Sequence, residues 1–282
     1  MPELPEVETV RQTLRQLVLG KEIKKVIVYW PKIIKKPEPV EQFTDALKGE
    51  IIREINRRGK FLLFEFDHYV MVSHLRMEGK YQLNAKMDEM EPHTHVIFQF
   101  TDDTELRYKD VRKFGTMHLF KKGTEFDSLP LSQLGPEPFS KELTVSYLKK
   151  VFHKTERKIK AVLLDQKVIV GLGNIYVDEV LFRSKIHPER KANSLSSIEI
   201  QTLQNEIIFT LREAVEKGGS TIRSYVNSQG EMGMFQFNLF VYGQEGEKCK
   251  NCGETIIKIK TAGRGTHICP SCQIPPIHNE SC

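Results

Sequence analysis

Four of the five cysteines stand in two closely spaced pairs near the end of the chain. Cys249 and Cys252 form one pair, Cys269 and Cys272 the other, with sixteen residues between the pairs. Such spacing is typical of zinc sites in which four thiolates fill the coordination shell, so it predicts one structural Zn2+ ion. Disulfide bonds are the alternative, disfavoured because no secretory signal is visible. Cys282 is expected to take no part.

The segment between the cysteine pairs is predicted to be a β-hairpin. Residues 256–268 read IIKIKTAGRGTHI, two strand-like runs separated by Gly263-Arg264-Gly265. A tip built in this way would present Arg264 to solvent, where its guanidinium could donate two hydrogen bonds to phosphate oxygens. An arginine that is merely solvated in a turn is the alternative.

The elements of the first half are predicted to be one helix followed by antiparallel strands. Val7, Val10, Leu14 and Leu17 are spaced three or four residues apart, which predicts an amphipathic helix over residues 3–19. Seven short segments rich in β-branched and aromatic residues follow, without helix-length segments between them. This pattern favours an antiparallel sandwich or barrel over parallel βαβ units.

Helical periodicity dominates after a predicted hinge at residues 131–140, which contain two prolines and a glycine. Ser196 and Glu199 have the spacing of a capping box, which predicts the start of a long helix. Its buried stripe is expected to consist of four residues: Leu203, Ile207, Leu211 and Val215.

Positive charge is concentrated in the second half of the chain. Lys141–Arg190 contains eleven Lys/Arg against six Asp/Glu, and Glu247–Cys272 five against two. This excess favours a polyanionic partner, although two solvated faces would have the same composition. The sequence has no apolar run of membrane-spanning length and no secretory signal. We therefore expect no membrane association and a cytoplasmic location.

Four motifs resemble those of the bacterial formamidopyrimidine-DNA glycosylases. In chain order they are MPELPEVE at 1–8, YKDVRKFG at 108–115, GLGNIYVDEVLF at 171–182 and CKNCG…TAGRGTHICPSC at 249–272. They occur in the order and at the distances of that family and span nearly the whole chain. The resemblance implies a bifunctional glycosylase and abasic-site lyase of base excision repair, in the bacterial cytosol or nucleoid. Its substrates would be 8-oxoguanine and formamidopyrimidines in damaged double-stranded DNA.

The same resemblance implies roles for four residues in the reaction. Once the initiating methionine is removed, Pro2 would be the nucleophile, and its secondary amine would form a Schiff base with the sugar. Glu3 would be a proton donor, Lys60 would donate a proton during β-elimination, and Arg264 would do so during δ-elimination. Without the resemblance, Pro2, Glu3 and Glu6 read as an ordinary helix start.

The resemblance assigns DNA contacts to six further residues: His74, Met77, Arg112, Phe114, Asn174 and Tyr225. The histidine and the asparagine would bind phosphates, the latter beside glycines at a helix entrance. The methionine and the phenylalanine would fill the gap left by an everted nucleotide, and the arginine would bind the cytosine opposite. Burial in the core at strand ends is the alternative for the two apolar residues.

A polar, glycine-containing segment at residues 220–236 is predicted to be a mobile loop that includes Tyr225. It matches the family's lid over the everted base, which favours oxidised purines over the pyrimidine lesions of the endonuclease VIII type. A second alternative is a non-catalytic, zinc-containing DNA-binding protein, which would retain Met1.

The predicted fold is a multidomain α+β chain with three segments. Residues 1–134 would form a β-sandwich catalytic domain with a leading helix, residues 135–235 a helix-two-turn-helix DNA-binding domain with the lid, and residues 236–282 a zinc finger and tail. We expect a monomer. The tail after Cys272 has no predicted role and is expected to be frayed.

Overall fold

An amphipathic helix opens the chain, as its apolar spacing predicts. In the computed structural model, α1 spans Leu4–Val18 and has Pro5 in its first turn. Val7, Val10 and Leu14 are each at most 2% exposed. They belong to a buried apolar cluster that also includes side chains from the strands that follow.

The structure describes residues 1–220 and 234–275. The described residues belong to two compact units: Met1–Gln133 with Gly218–Met234, and Leu134–Lys217 with Phe235–Cys282. The three segments expected from the sequence stay a prediction.

Two sheets and a second helix follow α1 in the first unit. The bounds of these elements are β1 Ile23–Val28, β2 Ile34–Lys36, α2 Val40–Leu47, β3 Glu54–Arg58, β4 Phe61–Glu65, β5 Tyr69–His74, β6 Lys80–Ala85, β7 Thr94–Phe100, β8 Thr104–Lys109 and β9 Thr116–Lys121. One sheet has the strand order β1-β7-β8-β6 and the other β2-β9-β5-β4-β3. Both sheets contribute to the same apolar core, so the predicted α+β fold with an N-terminal sandwich is confirmed.

Three elements of this unit were not expected from the sequence. Strand β2 is only three residues long and pairs in parallel with β9, whereas an antiparallel region was predicted. Strand β6 shows no alternation of burial, because Tyr81 is its single buried residue. The helix α2 had a usable signal, because Val40, Phe43 and Leu47 are spaced three and four residues apart.

The described part of the second unit contains four α-helices, one hairpin and two short 3-10 helices, Ala192–Ser194 and Phe235–Asn238. The bounds of the α-helices and strands are α3 Val145–Phe152, α4 Ile159–Leu163, α5 Asn174–Arg183, α6 Ser197–Glu216, β10 Ile257–Thr261 and β11 Arg264–Ile268. The predicted capping box is present: Glu199 N–H donates to the Ser196 hydroxyl at 3.2 Å, and Ser196 N–H to the Glu199 carboxylate at 2.7 Å.

The apolar stripe of α6 differs from the prediction at one position. Leu203, Ile207 and Leu211 are fully buried, but Ala214 rather than Val215 completes the stripe. A helical turn of 3.6 residues explains the change, because position 214 lies closer to the line of the preceding residues. Among the described residues, no helix is both long and apolar enough to cross a membrane.

Candidate active site and phosphate-binding residues

The start of α1 is held by a carboxylate with two backbone partners. Glu3 and Glu6 are each 3% exposed, and Pro2 is buried. One oxygen of Glu6 accepts the N–H of Glu3 at 2.8 Å, and the other accepts the N–H of Ser220 at 2.7 Å. Glu6 therefore connects Glu3, the residue next to Pro2, to Ser220, the first residue of the predicted lid segment.

Met1 is attached to Pro2 in the described chain, and it is 46% exposed. The Pro2 nitrogen is then an amide nitrogen, whose lone pair is delocalised into the carbonyl and is not nucleophilic. Chemistry at Pro2 thus requires removal of Met1, as the sequence already indicates.

The direction of α1 brings its N-terminal end beside the end of β3. Arg57 near the end of β3 donates to Glu8 at 2.9 Å, and Arg15 lies 2.7 Å from Glu54 at the start of β3. The helix therefore runs antiparallel to the strand. Burial raises the pKa of Glu8, but hydrogen bonds from Arg11 and Arg57 outweigh this effect and lower it.

Lys60 and His74 lie at this same end of the five-stranded sheet. Lys60 comes directly before β4, and Phe61, the first residue of β4, pairs with His74, the last residue of β5. The rings of Phe61 and His74 pack edge to face with centroids 4.6 Å apart. Lys60 is 5% and His74 is 6% exposed. Strand pairing thus brings together two predicted site residues that are fourteen positions apart.

His74 is held as a neutral hydrogen-bond donor. Burial, followed by the positive charges of Arg76 and Lys60, lowers the pKa of His74 from 6.5 to about 3. The N–H of Arg76 donates to Nδ1 of the ring at 2.9 Å, so Nδ1 is an acceptor. The remaining proton then lies on Nε2, which can donate to a phosphate oxygen without a charge on the ring.

The predicted intercalating residues lie on two turns at the same sheet end. His74, at the end of β5, pairs with Thr116 at the start of β9, so the turns after β5 and before β9 are neighbours. Met77 is 39% and Phe114 is 53% exposed, so burial in the core is excluded for both. The guanidinium of Arg112 lies over the Phe114 ring at 4.9 Å.

In the second unit, Asn174 and the hairpin contact each other. Asn174 is the first residue of α5, and its Nδ2 donates to the carbonyl of Gly265 at 3.0 Å. The hairpin turn is one residue earlier than predicted: it consists of Ala262 and Gly263, both at positive φ, and Arg264 begins β11. Arg264 is exposed, as expected for a group that binds phosphate.

A buried ion pair that the sequence analysis missed supports this hairpin. Lys160 and Asp178 are both at most 1% exposed, and the Lys160 ammonium donates to Asp178 at 2.6 Å. It also donates to the Thr266 hydroxyl at 2.7 Å, and Asp178 accepts the N–H of His267 at 2.9 Å. A lysine beside the apolar residues of α4 was the one available signal.

A second buried carboxylate holds the chain between the helices and the hairpin. Glu179 accepts the N–H groups of Phe240, Val241 and Tyr242, each at 2.9 Å. Burial raises the pKa of Glu179 and outweighs these three hydrogen bonds, which lower it. Adjacent residues of α5 thus anchor two successive parts of the second unit.

The four paired cysteines form a metal-binding group whose sulfur atoms all lie within 4.8 Å of one another. Three of their Sγ–Sγ distances are 3.9, 3.4 and 3.6 Å. A tetrahedron with Zn–S bonds of about 2.3 Å requires edges of about 3.8 Å, whereas a disulfide bond is about 2.05 Å long. The donor set therefore fits one structural Zn2+ ion and excludes the disulfide alternative.

The first tail residue after Cys272 is ordered, contrary to prediction. Gln273 is fully buried; it accepts the N–H of Cys269 at 3.1 Å and donates to the carbonyl of Ile186 at 3.0 Å. It thus ties the second cysteine pair to the helical part of the same unit. Tyr225 and most of the predicted lid lie outside the described residues.

Three known protein domains match this chain. Residues 1–117 match the formamidopyrimidine-DNA glycosylase N-terminal domain, and residues 134–226 match the H2TH domain of the same enzymes. Residues 246–274 match a zinc finger found in FPG and IleRS.

Whole-length relatives carry one common name. A formamidopyrimidine-DNA glycosylase of Bacillus subtilis is 63% identical over 273 residues, covering 97% of this chain and 99% of that protein. The protein of the same name from Bacillus licheniformis is 62% identical over 273 residues, with the same coverage.

Solved structures of DNA complexes also match. Lactococcus lactis Fpg bound to DNA with an abasic site is 44% identical, with a TM-score of 0.91, and the match covers 97% of this chain and 100% of that one. The same values hold for that enzyme with DNA containing N7-benzyl-Fapy-dG and for MutM with DNA containing carbocyclic 8-oxo-G.

Proposed function

This chain belongs to the formamidopyrimidine-DNA glycosylase family and is a DNA glycosylase of base excision repair, and from this premise we propose that Pro2 is its nucleophile. The observation that supports the proposal is the convergence at one end of a sheet. The N-terminal end of α1 lies beside the end of β3, and Lys60 and His74 lie at the same end of the sheet.

The reaction begins after Met1 has been removed. The secondary amine of Pro2 attacks C1′ of the everted nucleotide, the N–C1′ bond forms, and the glycosidic bond breaks. The base leaves with the electron pair of that bond and takes up a proton, and Glu3 moves protons at the sugar. Opening of the sugar ring leaves an iminium that joins the protein to the DNA.

Strand cleavage follows by two eliminations from this iminium. In the β-elimination a base takes a proton from C2′, a C2′–C3′ double bond forms, and the 3′ phosphate leaves with the electron pair of the C3′–O bond. In the δ-elimination the C4′ proton is removed, and the 5′ phosphate leaves with the electron pair of the C5′–O bond. Lys60 and Arg264 supply protons in the two steps, respectively. Both are cations, so each also stabilises the negative charge on a departing phosphate.

We assign DNA binding to residues that can donate hydrogen bonds to phosphates or bases and to residues whose side chains can insert into the duplex. His74 donates from Nε2, and Asn174 and Arg264 bind phosphates near the start of α5. Met77 and Phe114 replace the stacking lost on eversion, and Arg112 donates to the cytosine that has lost its partner. Tyr225 grips the everted base from the lid.

The proposed substrates are oxidised purines, 8-oxoguanine and formamidopyrimidines. The 8-oxo-G and Fapy-dG DNA in the matching complexes supports this assignment, and the lid sequence favours it. Rates on 8-oxoguanine:cytosine and thymine-glycol duplexes separate it from the endonuclease VIII type. Faster release of thymine glycol would contradict it.

Borohydride trapping tests the role of Pro2. Reduction of the iminium on duplex DNA containing 8-oxoguanine converts it into a stable amine, so the wild-type protein is expected to become covalently attached to DNA. Mass mapping of the adduct should identify the N-terminal peptide without Met1. The Pro2→Gly variant keeps an α-amine, but a primary and less constrained one, so it is expected to give much less adduct, and an undiminished yield would refute the assignment.

The control is Pro5→Ala, which changes the other proline of the same helix start and leaves the terminal amine intact. Alanine is a good helix former, so α1 should persist and the adduct should form. Loss of the adduct in this variant as well would mean that the helix start, rather than the amine, had been tested.

Zinc has a structural role in the proposal. When bound by Cys249, Cys252, Cys269 and Cys272, it holds the hairpin that carries Arg264, and it has no open position for substrate. A monomeric state and a cytoplasmic location, in the bacterial cytosol or nucleoid, stay predictions.

A further inference from the structure

Two turns of the first unit carry the side chains that are proposed to enter the duplex. The Met77 turn, residues 75–79, is closed by Gly79 N–H, which donates to the Leu75 carbonyl at 2.9 Å. The Arg112 turn, residues 110–115, carries both Arg112 and Phe114. The side chains of Met77, Arg112 and Phe114 are all exposed, so packing of these tips does not fix the shape of the turns.

The carboxylate of Asp110 binds both ends of the Arg112 turn. It is only 1% exposed, and its two oxygens have different partners. Oδ1 accepts the N–H of Arg112 at 3.1 Å, and Oδ2 accepts the N–H of Gly115 at 2.8 Å. One buried side chain therefore holds the backbone at two positions of the turn, Arg112 and Gly115.

The main chain of Asp110 is itself fixed to the neighbouring strand region. Its N–H donates to the carbonyl of His93 at 3.0 Å, and its carbonyl accepts from Nε2 of the His95 ring at 2.8 Å. The same carbonyl accepts the N–H of Lys113 at 3.2 Å. Because both of its backbone groups are bonded, Asp110 forms a rigid support for the turn.

Tyr108 joins the two turns to each other. Its ring is fully buried, and its hydroxyl occupies the space where a side chain at Gly79 or at Gly115 would begin. A Cβ on Gly115 would stand 1.8 Å from the hydroxyl oxygen, and a Cβ on Gly79 would stand 2.2 Å from it. The glycines allow both turns to approach the same phenol, so both turns pack against one buried side chain.

We propose that Asp110 is a positioning residue for the contact between Arg112 and the base opposite the lesion, which it promotes by holding the Arg112 turn in the geometry of insertion before DNA arrives. An ordered turn with exposed tips loses less conformational entropy when it enters the duplex than a flexible turn would. The inference rests on the proposed role of Arg112. It assigns no contact with DNA to Asp110.

The test compares Asp110→Asn with the wild type on two DNA substrates. The amide has the same shape, but its NH2 group cannot accept the second backbone N–H, so the turn loosens. With 8-oxoguanine opposite cytosine, the single-turnover rate of base release should fall roughly tenfold. With 8-oxoguanine opposite a tetrahydrofuran abasic analogue, Arg112 has no base to bind, and the rate should stay within about twofold of the wild type.

A variant that only misfolds would lose the same fraction of its rate on both substrates, and that result would overturn the proposal. The proposed function fails in a different way, because the wild type would then release 8-oxoguanine from neither duplex. Asp127→Asn is the matched control: Asp127 is exposed, and this variant should retain wild-type rates on both substrates.

A double-mutant cycle tests whether Asp110 acts through Arg112. In an Arg112→Ala background, Asp110→Asn should lower the rate on the cytosine duplex by less than about twofold, because the positioned group is already absent. Fully additive losses would contradict the proposal.

A measurement on the wild type covers the case in which Asp110→Asn does not fold. Hydrogen exchange of the Arg112 and Gly115 amides should be slow in the protein without DNA, since both N–H groups are bonded to Asp110. Rapid exchange that slows only when DNA is added would show that the turn is not held in advance, and would overturn the inference.

Discussion

At the scale of single residues, His74 shows how burial sets the protonation state of a side chain. A charged imidazolium would attract phosphate more strongly, but the ring is buried beside Lys60 and Arg76 and stays neutral. The Arg76 N–H occupies Nδ1, which leaves the proton on Nε2. The site therefore combines a fixed, directional donor with separate cations, and the phosphate contact proposed for His74 should be independent of pH near neutrality.

This depressed pKa predicts a pH dependence of stability for the first unit. His74 titrates at 6.5 when unfolded and at about 3 when folded, so between these values the unfolded state binds the extra proton. The resulting loss in the free energy of unfolding is absent above pH 6.5 and grows as pH falls toward 3, by at most about 1.4 kcal/mol per pH unit. His74→Gln should reduce the slope over this window.

Urea unfolding followed by Trp30 fluorescence measures this effect, because Trp30 is the single tryptophan of the chain and belongs to the first unit. His118 has a pKa lowered to about 4 by burial and nearby cations, so part of the slope will remain in the variant. An unchanged slope after His74→Gln would contradict the assignment of a neutral buried ring.

At the scale of elements, the hairpin that carries Arg264 depends on buried charge as well as on zinc. Lys160 of α4 and Asp178 of α5 form an ion pair without solvent exposure, and both bind β11. Removing one partner of a buried pair leaves the other charge without solvent and without a counter-charge. The free-energy cost of that unpaired charge exceeds the net stabilisation that the pair provides.

Lys160→Met should therefore destabilise the second unit by about 3–5 kcal/mol. The measurement is urea unfolding followed by far-ultraviolet circular dichroism, which reports on α3 to α6. Lys158→Met is the matched control: it removes a more exposed ion pair with Glu189 next to α4 and should cost less than about 1 kcal/mol. Equal losses in the two variants would show that the buried pair has no special weight.

At the scale of the whole molecule, the candidate site residues are distributed over two compact units. The first contains the start of α1, Lys60, His74 and the two turns, and the second contains Asn174, Arg264 and the cysteine group. Each set is positioned within its own unit. The metal-binding group belongs to the second unit alone, so loss of zinc should act first on that unit.

Removal of zinc by a chelator should therefore abolish tight DNA binding while the Trp30 unfolding curve stays unchanged. Metal analysis of the fresh protein should give one zinc per chain, and adding zinc back should restore affinity. Cys252→Ser should behave like the chelated protein, whereas Cys282→Ser, outside the described residues, should behave like the wild type. Fresh protein without zinc would refute the metal assignment.

Features that depend on neighbours in the chain were predictable from the sequence. The helix α1, the capping box of α6 and the four zinc ligands follow from spacings of a few residues, which local geometry converts directly into structure. The family motifs, by resemblance, supplied the candidate site residues. The one short parallel strand β2 was missed because three residues carry too little pattern.

Only the tertiary structure decided how these residues are held. Lys160 and Thr266 bond across 106 positions, Glu6 and Ser220 across 214, and no local pattern encodes such pairs. The Arg76–His74 and Arg112–Asp110 hydrogen bonds are local, but the burial of His74 and Asp110 is set by strands that pair across the sheets. The sequence by itself determined which chemical groups are present, whereas folding determined their burial, hydrogen bonding and charge state, because these are properties of contacts between distant parts of the chain.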